Sequence, residues 1–286
     1  MARVALVAGA NGGFGSAMAA ALWSAGWEIR PYRRGTDMAA AARGAGLIVN
    51  GLNPPAYHDW AGLIPEITRS VLAAARASGA RVLLPGNVYV YGRQPGPWGA
   101  DTPHLPCSRK GHIRAGMEAR YREAAAAGQR VLILRGGDFI APGARVGLYP
   151  QVVLKPLARG RIVAMGDPAA RRAHAFLPDM ARAAAELLSG DLPDFLDMPF
   201  AGLSFSTADL AAAIGRVTGR VPRVSRFPWW QLRLAAPVWE LARELLEMRY
   251  LYDLPHELDP APLAAALPGF RPTGLDAVVR ALVTAG

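Results

Sequence analysis

The sequence predicts an α/β fold in which helices cover both faces of a mostly parallel sheet, with a small, mostly helical lobe at the C-terminal end. Short apolar runs typical of buried strands alternate with helix-prone runs up to about residue 190. From about residue 192 the pattern changes to short helices separated by prolines. This combination is typical of a Rossmann-type doubly wound parallel sheet with a substrate-binding lobe. It divides the chain into predicted domains 1–191 and 192–286.

A glycine-rich turn joins the first strand to the first helix. The apolar run Arg3–Ala8 is followed by glycines at every third position and then by a helix-prone run from Ser16. Glycines at this spacing allow a tight turn and let backbone N–H groups approach a pyrophosphate at the helix N-terminus. The alternative is a tight turn with no ligand. The residues that we expect to hold a dinucleotide here are Gly9, Asn11, Gly12, Phe14 and Gly15.

The end of the second strand bears on the choice of cofactor. The strand-like run Gly26–Tyr32 is followed by Arg33 and Arg34, and no acidic residue occurs before Asp37. A carboxylate at this position would bind the ribose hydroxyls of NAD, whereas an arginine suits the 2′-phosphate of NADP. The sequence therefore predicts that NADP(H) is preferred over NAD(H). The alternative is that both arginines are solvated surface residues.

Polar residues follow the later strands, at the edge where ligands collect in an open parallel sheet. Residues 36–43 leave room for only one short helix, so an edge strand of the fuller doubly wound sheet is missing. Asn50 and Gly51 are expected beside the nicotinamide half of the cofactor. The residues expected to contact a small-molecule substrate are Asp138, Phe139 and His174.

Composition excludes several classes of partner. The chain has 286 residues and a formal net charge of +10, but its basic residues are scattered, so we expect no nucleic-acid partner. A single cysteine, Cys107, predicts no disulfide and no metal site, which suits the cytoplasm. Charged residues interrupt the most apolar long stretch near residues 233–244, so no membrane partner is expected. A homodimer is left open.

Several motifs in this order resemble the extended and atypical short-chain dehydrogenase/reductase superfamily. They are the N-terminal glycine turn, Val90-Tyr91-Gly92, Arg135 with Pro142-Gly143, and Phe176-Leu-Pro-Asp179. Epimerase/dehydratase members carry a Ser or Thr five residues before the glycine of Val-Tyr-Gly, and a Tyr-x-x-x-Lys helix. Those positions hold Asn87, Lys110 and Arg114 in this chain, so the usual Tyr-x-x-x-Lys reads Lys-x-x-x-Arg. This departure looks like the isoflavone-reductase-like atypical branch.

The resemblance implies the catalytic residues. Lys110 would donate a proton or stabilise charge, and Arg114 would hold ribose hydroxyls or a phosphate. Asn87 would bind a substrate carbonyl, and Tyr89 is the reserve proton donor. The structural alternative is a solvated helix on which Lys110, Arg114 and Glu118 form surface pairs.

The resemblance also implies the reaction. We expect an NADPH-dependent reductase that delivers hydride to a small carbonyl or a conjugated C=C bond. One alternative is a sugar-type epimerase or dehydratase that uses bound NAD(P) internally. Another is a non-catalytic NADP(H)-binding sensor or scaffold.

Overall fold

The computed structural model describes residues 3–144 and 147–284. Its strands are β1 (Arg3–Ala8), β2 (Trp27–Tyr32), β3 (Leu47–Asn50), β4 (Arg81–Gly86), β5 (Val131–Arg135), β6 (Asp138–Ile140), β7 (Arg161–Ala164), β8 (Arg172–Phe176), β9 (Phe195–Pro199), β10 (Leu203–Phe205) and β11 (Arg223–Arg226). Its α-helices are α1 (Gly13–Ser24), α2 (Met38–Ala41), α3 (Trp60–Ser78), α4 (Arg109–Ala126), α5 (Leu177–Leu187), α6 (Thr207–Thr218), α7 (Trp229–Ala235), α8 (Glu240–Glu247), α9 (Tyr250–Asp253), α10 (Ala261–Ala266) and α11 (Leu275–Thr284). Single helical turns of other types occur at Pro55–Tyr57, Val88–Tyr91, Tyr149–Val153 and Leu157–Arg159.

The central sheet has six parallel strands in the order β2-β1-β3-β4-β5-β9. Its strands are apolar on both faces because helices cover both. On one face, the side chains of β1 at Ala5 and Val7 pack with those of α1 and α5. On the other face, Val4 and Leu6 pack with α3 and α4. The predicted Rossmann-type doubly wound sheet is therefore confirmed.

The sheet ends at β2, as the short interval before β3 indicates. Only the one-turn helix α2 lies between these two strands. Asp37 caps that helix, because its carboxylate accepts hydrogen bonds from the N–H groups of Ala39 and Ala40. The chain then returns directly to the middle of the sheet, so no further strand extends this edge in the part of the chain that the structure describes.

The strand pairing does not follow the predicted boundary between residues 191 and 192. Strand β9 lies beyond that boundary, yet it pairs with β5 along Val131–Arg135 and completes the central sheet. Small strands also lie outside the central sheet, and the sequence predicts one of them, Arg161 to Met165, which corresponds to β7. Strands β10, β8 and β6 form a three-stranded sheet, and β11 pairs with β7. These strands have three to five residues, which is too short for a clear alternating pattern.

The C-terminal segment packs through amphipathic helices. Helix α6 begins with a capping box in which Ser206 and Asp209 bond each other's backbone N–H groups. Its buried face packs against α11, with Ile214 and Val278 in the same apolar cluster. None of the helices among the described residues is long and apolar enough to cross a membrane.

Candidate functional site

The glycine turn brings the start of α1 against the loop that follows β3. Gly9 has a φ of +79°, and a Cβ atom there would lie 2.6 Å from the carbonyl oxygen of Gly51. A Cβ atom on Gly15 would overlap the carbonyl oxygen of Gly9. The close approach of these backbones therefore depends on residues without side chains. This turn is thus shaped by three of the glycines that were expected at the cofactor, Gly9, Gly15 and Gly51.

The N-terminus of α1 is open to a ligand. Gly12 precedes the helix and no side chain caps it. The first N–H groups of a helix have no intrahelical partner and carry partial positive charge. Asn11 and Gly12 are exposed at this end. Phe14 faces the other way, because its ring is buried and stacks on Phe139 with 6.2 Å between ring centroids. The backbone of Phe14, rather than its ring, is thus the part beside an anion.

The side chain of Asn50 holds the loop after β3. It is buried, its Nδ2 donates to the Tyr121 hydroxyl at 3.1 Å, and its Oδ1 accepts from the N–H of Leu52 at 3.3 Å. These bonds use the amide inside the protein. The Asn50 amide therefore fixes the loop after β3 from inside the protein, and the expectation that this loop borders the nicotinamide half of a cofactor stays a prediction.

Two phenol groups meet at the carboxyl edge of the sheet. The hydroxyls of Tyr57 and Tyr89 lie 3.3 Å apart, which is a weak hydrogen bond. Asn87 orients this region, because its Oδ1 accepts from the backbone N–H of Tyr89 at 3.1 Å. Burial raises the pKa of both phenols above the usual 10.0, that of Tyr89 most strongly. Both groups are therefore protonated at neutral pH and can donate a proton.

The segment that carries Tyr57 has an unusual backbone. Ala56 and Tyr57 have φ angles of 50° and 61°, and Asp59 has a φ of 41°. Residues with side chains adopt this left-handed region rarely, and such strain is retained where the surrounding structure imposes it. The carboxylate of Asp59 also caps α3 by accepting from the N–H of Gly62. The helix therefore begins directly after the strained segment and fixes Tyr57 beside Tyr89.

Lys110 is enclosed by helix α8. Its side chain has no exposed surface, and its Nζ forms ion pairs with Glu244 and, at 2.6 Å, with Glu247. The same Glu247 accepts from the backbone N–H of Lys110 at 3.0 Å. The ammonium lies 5.1 Å from the centre of the Tyr57 ring. The solvated helix face considered from the sequence is thus not what forms, and carboxylates of the C-terminal lobe surround the residue expected to donate a proton.

Arg114 lies one turn further along α4 and is also buried. One terminal nitrogen donates to the carbonyl oxygen of Pro85 at 2.7 Å, at the end of β4. Its Nε is buried and has no hydrogen-bond partner among the described residues. Burial lowers the pKa of this guanidinium, which still carries its charge at neutral pH. A buried donor without a partner fits a ligand hydroxyl, as expected for the ribose of a dinucleotide.

A buried ion-pair network supports Asn87 from behind. Arg135 at the end of β5 donates to both Glu118 of α4 and Asp197 of β9, and also to the carbonyl oxygen of Asn87 at 2.6 Å. Burial opposes the charge, but the two carboxylates outweigh it and raise the pKa of Arg135. His104 lies 3.7 Å from Glu118. The guanidinium thus fills the space between acids that could otherwise be taken for metal ligands.

The residues expected at the substrate separate into two groups. Asp138 and His174 are register partners on β6 and β8, and Arg172 forms an ion pair with Asp138. Burial would raise the pKa of Asp138, but Arg172 and His174 lower it below its usual value. Phe139 instead packs towards α1, against Phe14. The structure therefore places Asp138 in an ion pair with Arg172, and it places Phe139 against Phe14, beside the glycine turn.

His174 belongs to the core of the lobe rather than to a substrate-facing surface. It is 1% exposed and stacks on Phe205 with 3.7 Å between ring centroids. Burial and the nearby Arg172 lower its pKa to about 3, so the ring is neutral at physiological pH. His174 therefore lies among aromatic side chains of the lobe, neither of its ring nitrogens has a hydrogen-bond partner among the described residues, and its contact with substrate stays a prediction.

Comparison with solved structures identifies the fold. MoeE5 in complex with UDP-glucuronic acid and NAD matches with a TM-score of 0.78 and 17% identity, over 99% of this chain and 98% of that one. UDP-glucuronic acid 4-epimerase from Bacillus cereus in complex with NAD matches with a TM-score of 0.77 and 14% identity, over 99% and 98%. The NAD-dependent NDP-hexosamine 5,6-dehydratase TunA matches with a TM-score of 0.74 and 18% identity, over 99% and 97%. No family model and no curated protein matches the chain.

The predicted fold, and its resemblance to epimerases and dehydratases, are confirmed, since two of these neighbours are an epimerase and a dehydratase. The activities named for those two proteins correspond to the epimerase/dehydratase alternative and not to the expected carbonyl reductase. These neighbours also contradict the predicted preference for NADP(H), because they contain or depend on NAD. Arg33 and Arg34 are exposed, and the Asp37 carboxylate that follows them is occupied by α2. Exposed arginines at this position are therefore not sufficient evidence for a 2′-phosphate site.

Sequence reasoning missed the residues that close the site. Tyr57 follows a proline-rich loop, and nothing in the local pattern indicates that it meets Tyr89. Glu244 and Glu247 lie far along the chain from Lys110, 137 residues away in the case of Glu247. Single-sequence patterns report local periodicity, so pairings at such distances leave no signal.

Proposed function

We propose that the chain is an NAD-dependent enzyme of the epimerase/dehydratase kind, acting on a sugar-type small molecule at the carboxyl edge of the central sheet. The observation that carries this proposal is the arrangement around α4. Arg114, which bonds the carbonyl of Pro85 at the end of β4, has a buried Nε without a partner, and the hydrogen-bonded phenols of Tyr57 and Tyr89 meet at the same carboxyl edge of the sheet. The fold shared with epimerases and a dehydratase over nearly the whole chain supports it.

The residues present fit NAD. The uncapped N-terminus of α1 suits a pyrophosphate, and the Arg114 guanidinium suits the hydroxyls of the nicotinamide ribose. Gly12 leaves the approach to the helix end free of side chains. When bound, NAD supplies the acceptor and donor of hydride. The protein's part is to place a substrate carbon beyond the ends of β3 and β4 and to move a proton there.

Tyr57 and Tyr89 are the groups that we propose to move that proton. The position that relatives give to the catalytic tyrosine holds Lys110, whose ammonium faces carboxylates of α8. A phenol kept protonated by burial can donate to the oxygen of a keto intermediate, and its partner hydroxyl 3.3 Å away can take part in the transfer. Asn87 holds the Tyr89 backbone in place. In this proposal Lys110 is a positioning residue for Tyr57.

The experiment is turnover of UDP-sugars with NAD, followed by product analysis and by absorbance of NADH. An epimerase or dehydratase returns the hydride, so we expect product without net NADH. Tyr89→Phe should lower turnover by ~10²-fold or more, the scale of losing a general acid. Tyr32→Phe is the matched control, because the Tyr32 hydroxyl donates to Thr36 on the exposed side of β2. Stoichiometric accumulation of NADH, or equal losses in both variants, would contradict the proposal.

A second candidate function is a non-catalytic NAD-binding protein. One observation favours it: the residue at the position of the family tyrosine is fully buried and doubly ion-paired, so that position is closed to a substrate. This candidate predicts NAD binding without turnover of any sugar in the panel. It also predicts that Tyr89→Phe leaves NAD affinity unchanged. Measurable binding of NAD separates this candidate from a protein that does not bind the cofactor at all.

A further inference from the structure

A group of large apolar side chains on the C-terminal lobe faces solvent. Trp230 and Leu234 of α7 are 61% and 73% exposed, and Val238 and Trp239, which follow, are 90% and 47% exposed. We call these four residues the aromatic patch. Single exposed apolar residues are ordinary, but four of them within ten positions concentrate exposed apolar surface in one segment, as interaction sites do.

The patch is not the core face of a misplaced helix, because the other face of α7 is already used. Trp229 and Leu232 are buried, and the Trp229 indole donates to the carbonyl oxygen of Met165. Trp230 and Leu234 are four residues apart, which keeps them on one side of the helix, and Val238 and Trp239 follow in and after the next turn. The helix therefore presents two apolar faces, one packed in the lobe and one directed outwards.

Charges in the same segment are sorted between the two faces. Residues 220–249 contain six arginines and three glutamates. Glu244 and Glu247 face inwards and pair with Lys110, whereas Glu240 stays 43% exposed and bonds His58 at 2.9 Å. Three arginines of the segment, Arg226, Arg233 and Arg243, are exposed. The outward surface of this segment is therefore apolar with an excess of positive charge.

We propose that the aromatic patch docks on the anionic surface of a lipid bilayer. Tryptophans with aliphatic side chains insert at the boundary of headgroups and acyl chains, and flanking arginines add attraction to anionic lipids. A second copy of the chain would bring the same excess of positive charge to the interface, six arginines against three glutamates in residues 220–249, which is unfavourable. Nucleic acid would use the arginines but leave Leu234 and Val238 without a partner. This proposal concerns docking at the surface and not a membrane-spanning segment.

The experiment is sedimentation of the full chain with vesicles of phosphatidylcholine, alone or mixed with phosphatidylglycerol. The chain should bind the mixed vesicles ~10-fold or more tightly than the neutral ones, and raised salt should weaken the binding. The double variant Trp230→Ser, Leu234→Ser should lose ~10-fold of this affinity, since its apolar insertion is removed. Trp23→Ser is the matched control, because Trp23 on α1 is 72% exposed and lies outside the patch.

A third variant keeps the test independent of folding. Arg233→Gln leaves every patch residue in place, so it should weaken binding to the mixed vesicles and reduce the salt dependence while the thermal midpoint stays unchanged. No binding of the wild type, or equal losses from the double variant and Trp23→Ser, would overturn the proposal. A wild-type dimer in light scattering that the double variant abolishes would overturn it in favour of a second copy. Binding to a single-stranded oligonucleotide that the double variant loses would overturn it in favour of nucleic acid.

Discussion

The N-termini of α1 and α4 both lie at the carboxyl edge of the central sheet, but they are built in opposite ways. Helix α1 begins with glycines, has no side-chain cap and leaves its end exposed. Helix α4 is capped by Ser108, whose hydroxyl accepts from the N–H of Gly111. Lys110, two residues after the cap, is buried against α8 through its ion pairs with Glu244 and Glu247. The first end is available to an anion. The second is occupied by the protein itself.

The difference separates cofactor binding, which depends on the backbone at α1, from chemistry, which depends on side chains at α4. Binding a pyrophosphate requires only backbone N–H groups and the absence of side chains, and α1 provides both. The chemistry at α4 depends on particular side chains, and there Lys110 and Arg114 stand where the enzymes that the motifs resemble carry a tyrosine and a lysine. We expect changes at α1 to act on cofactor binding, and changes at α4 to act on the attachment of the lobe and on chemistry.

The largest expected effect is on stability, from Lys110→Met. The change leaves Glu244 and Glu247 close together without a counter-charge. Breaking a buried pair costs 3–5 kcal/mol, and we expect about 3 kcal/mol because Glu247 is 23% exposed. Chemical denaturation measures it. Lys155→Met, at an exposed position, is the control. Adding Glu244→Gln and Glu247→Gln should recover most of the loss, and a loss equal to that of the control would show that the ion pairs contribute nothing.

The next effect is on cofactor affinity, from Gly15→Ala. A Cβ atom at Gly15 would overlap the carbonyl oxygen of Gly9 and push the turn away from α1. We expect about 1–3 kcal/mol of destabilisation from overpacking, and a loss of most NAD affinity. Gly116→Ala is the matched control, since Gly116 lies in α4 with open space around it. Calorimetric titration with NAD gives the answer, and unchanged affinity in Gly15→Ala would place the pyrophosphate elsewhere.

A smaller effect is expected at Arg114 of α4, where it separates a contact with the cofactor from support of the Pro85 carbonyl. Arg114→Met removes the proposed contact with the nicotinamide ribose, a charge-assisted bond of roughly 1.5–3 kcal/mol. NAD affinity should fall by ~10–100-fold, the same energy expressed as a binding ratio. Arg120→Met, at an exposed position of the same helix, should leave it unchanged. Similar affinities for the two variants would mean that Arg114 only supports the carbonyl of Pro85.

The smallest effect is the pH dependence of the contact between α8 and the strained loop. Glu240 raises the pKa of His58 above the usual 6.5, so the stabilisation is complete below 6.5 and is lost as pH rises through the raised value. His58 lowers the pKa of Glu240 below 4.5, so its part is present above 4.5 and is lost on acidification. Thermal midpoints of the wild type and His58→Gln should differ most between these limits and converge at alkaline pH. His112→Gln, at another exposed histidine, is the matched control.

Local features of the chain could be predicted from the sequence, and pairings between distant segments could not. The glycine turn and the missing edge strand depend on a few neighbouring residues, so their patterns were visible. The sixth strand of the sheet, Phe195–Pro199, was assigned to the lobe because its order in the chain says nothing about its pairing with β5. The surroundings of Lys110 were missed for the same reason, because its partners lie on α8.

Cofactor choice failed for a different reason. Arg33 and Arg34 were correctly located after β2, but location alone does not show what a charge contacts. Both are exposed in the structure. A positively charged residue after β2 is therefore weaker evidence for a ligand contact than a buried hydrogen-bond donor without a partner, such as the Nε of Arg114.

A crystal structure of the NAD complex is the decisive measurement, because it shows whether α1 binds the cofactor while Lys110 of α4 stays paired with α8. We predict the pyrophosphate at the N-terminus of α1 and the nicotinamide ribose at hydrogen-bond distance, about 3 Å, from Arg114. The nicotinamide ring should lie beside Tyr57 and Tyr89, with Lys110 still paired to Glu244 and Glu247. A complex in which Lys110 leaves these carboxylates and contacts the ribose, or in which NAD lies away from α1, would contradict the account.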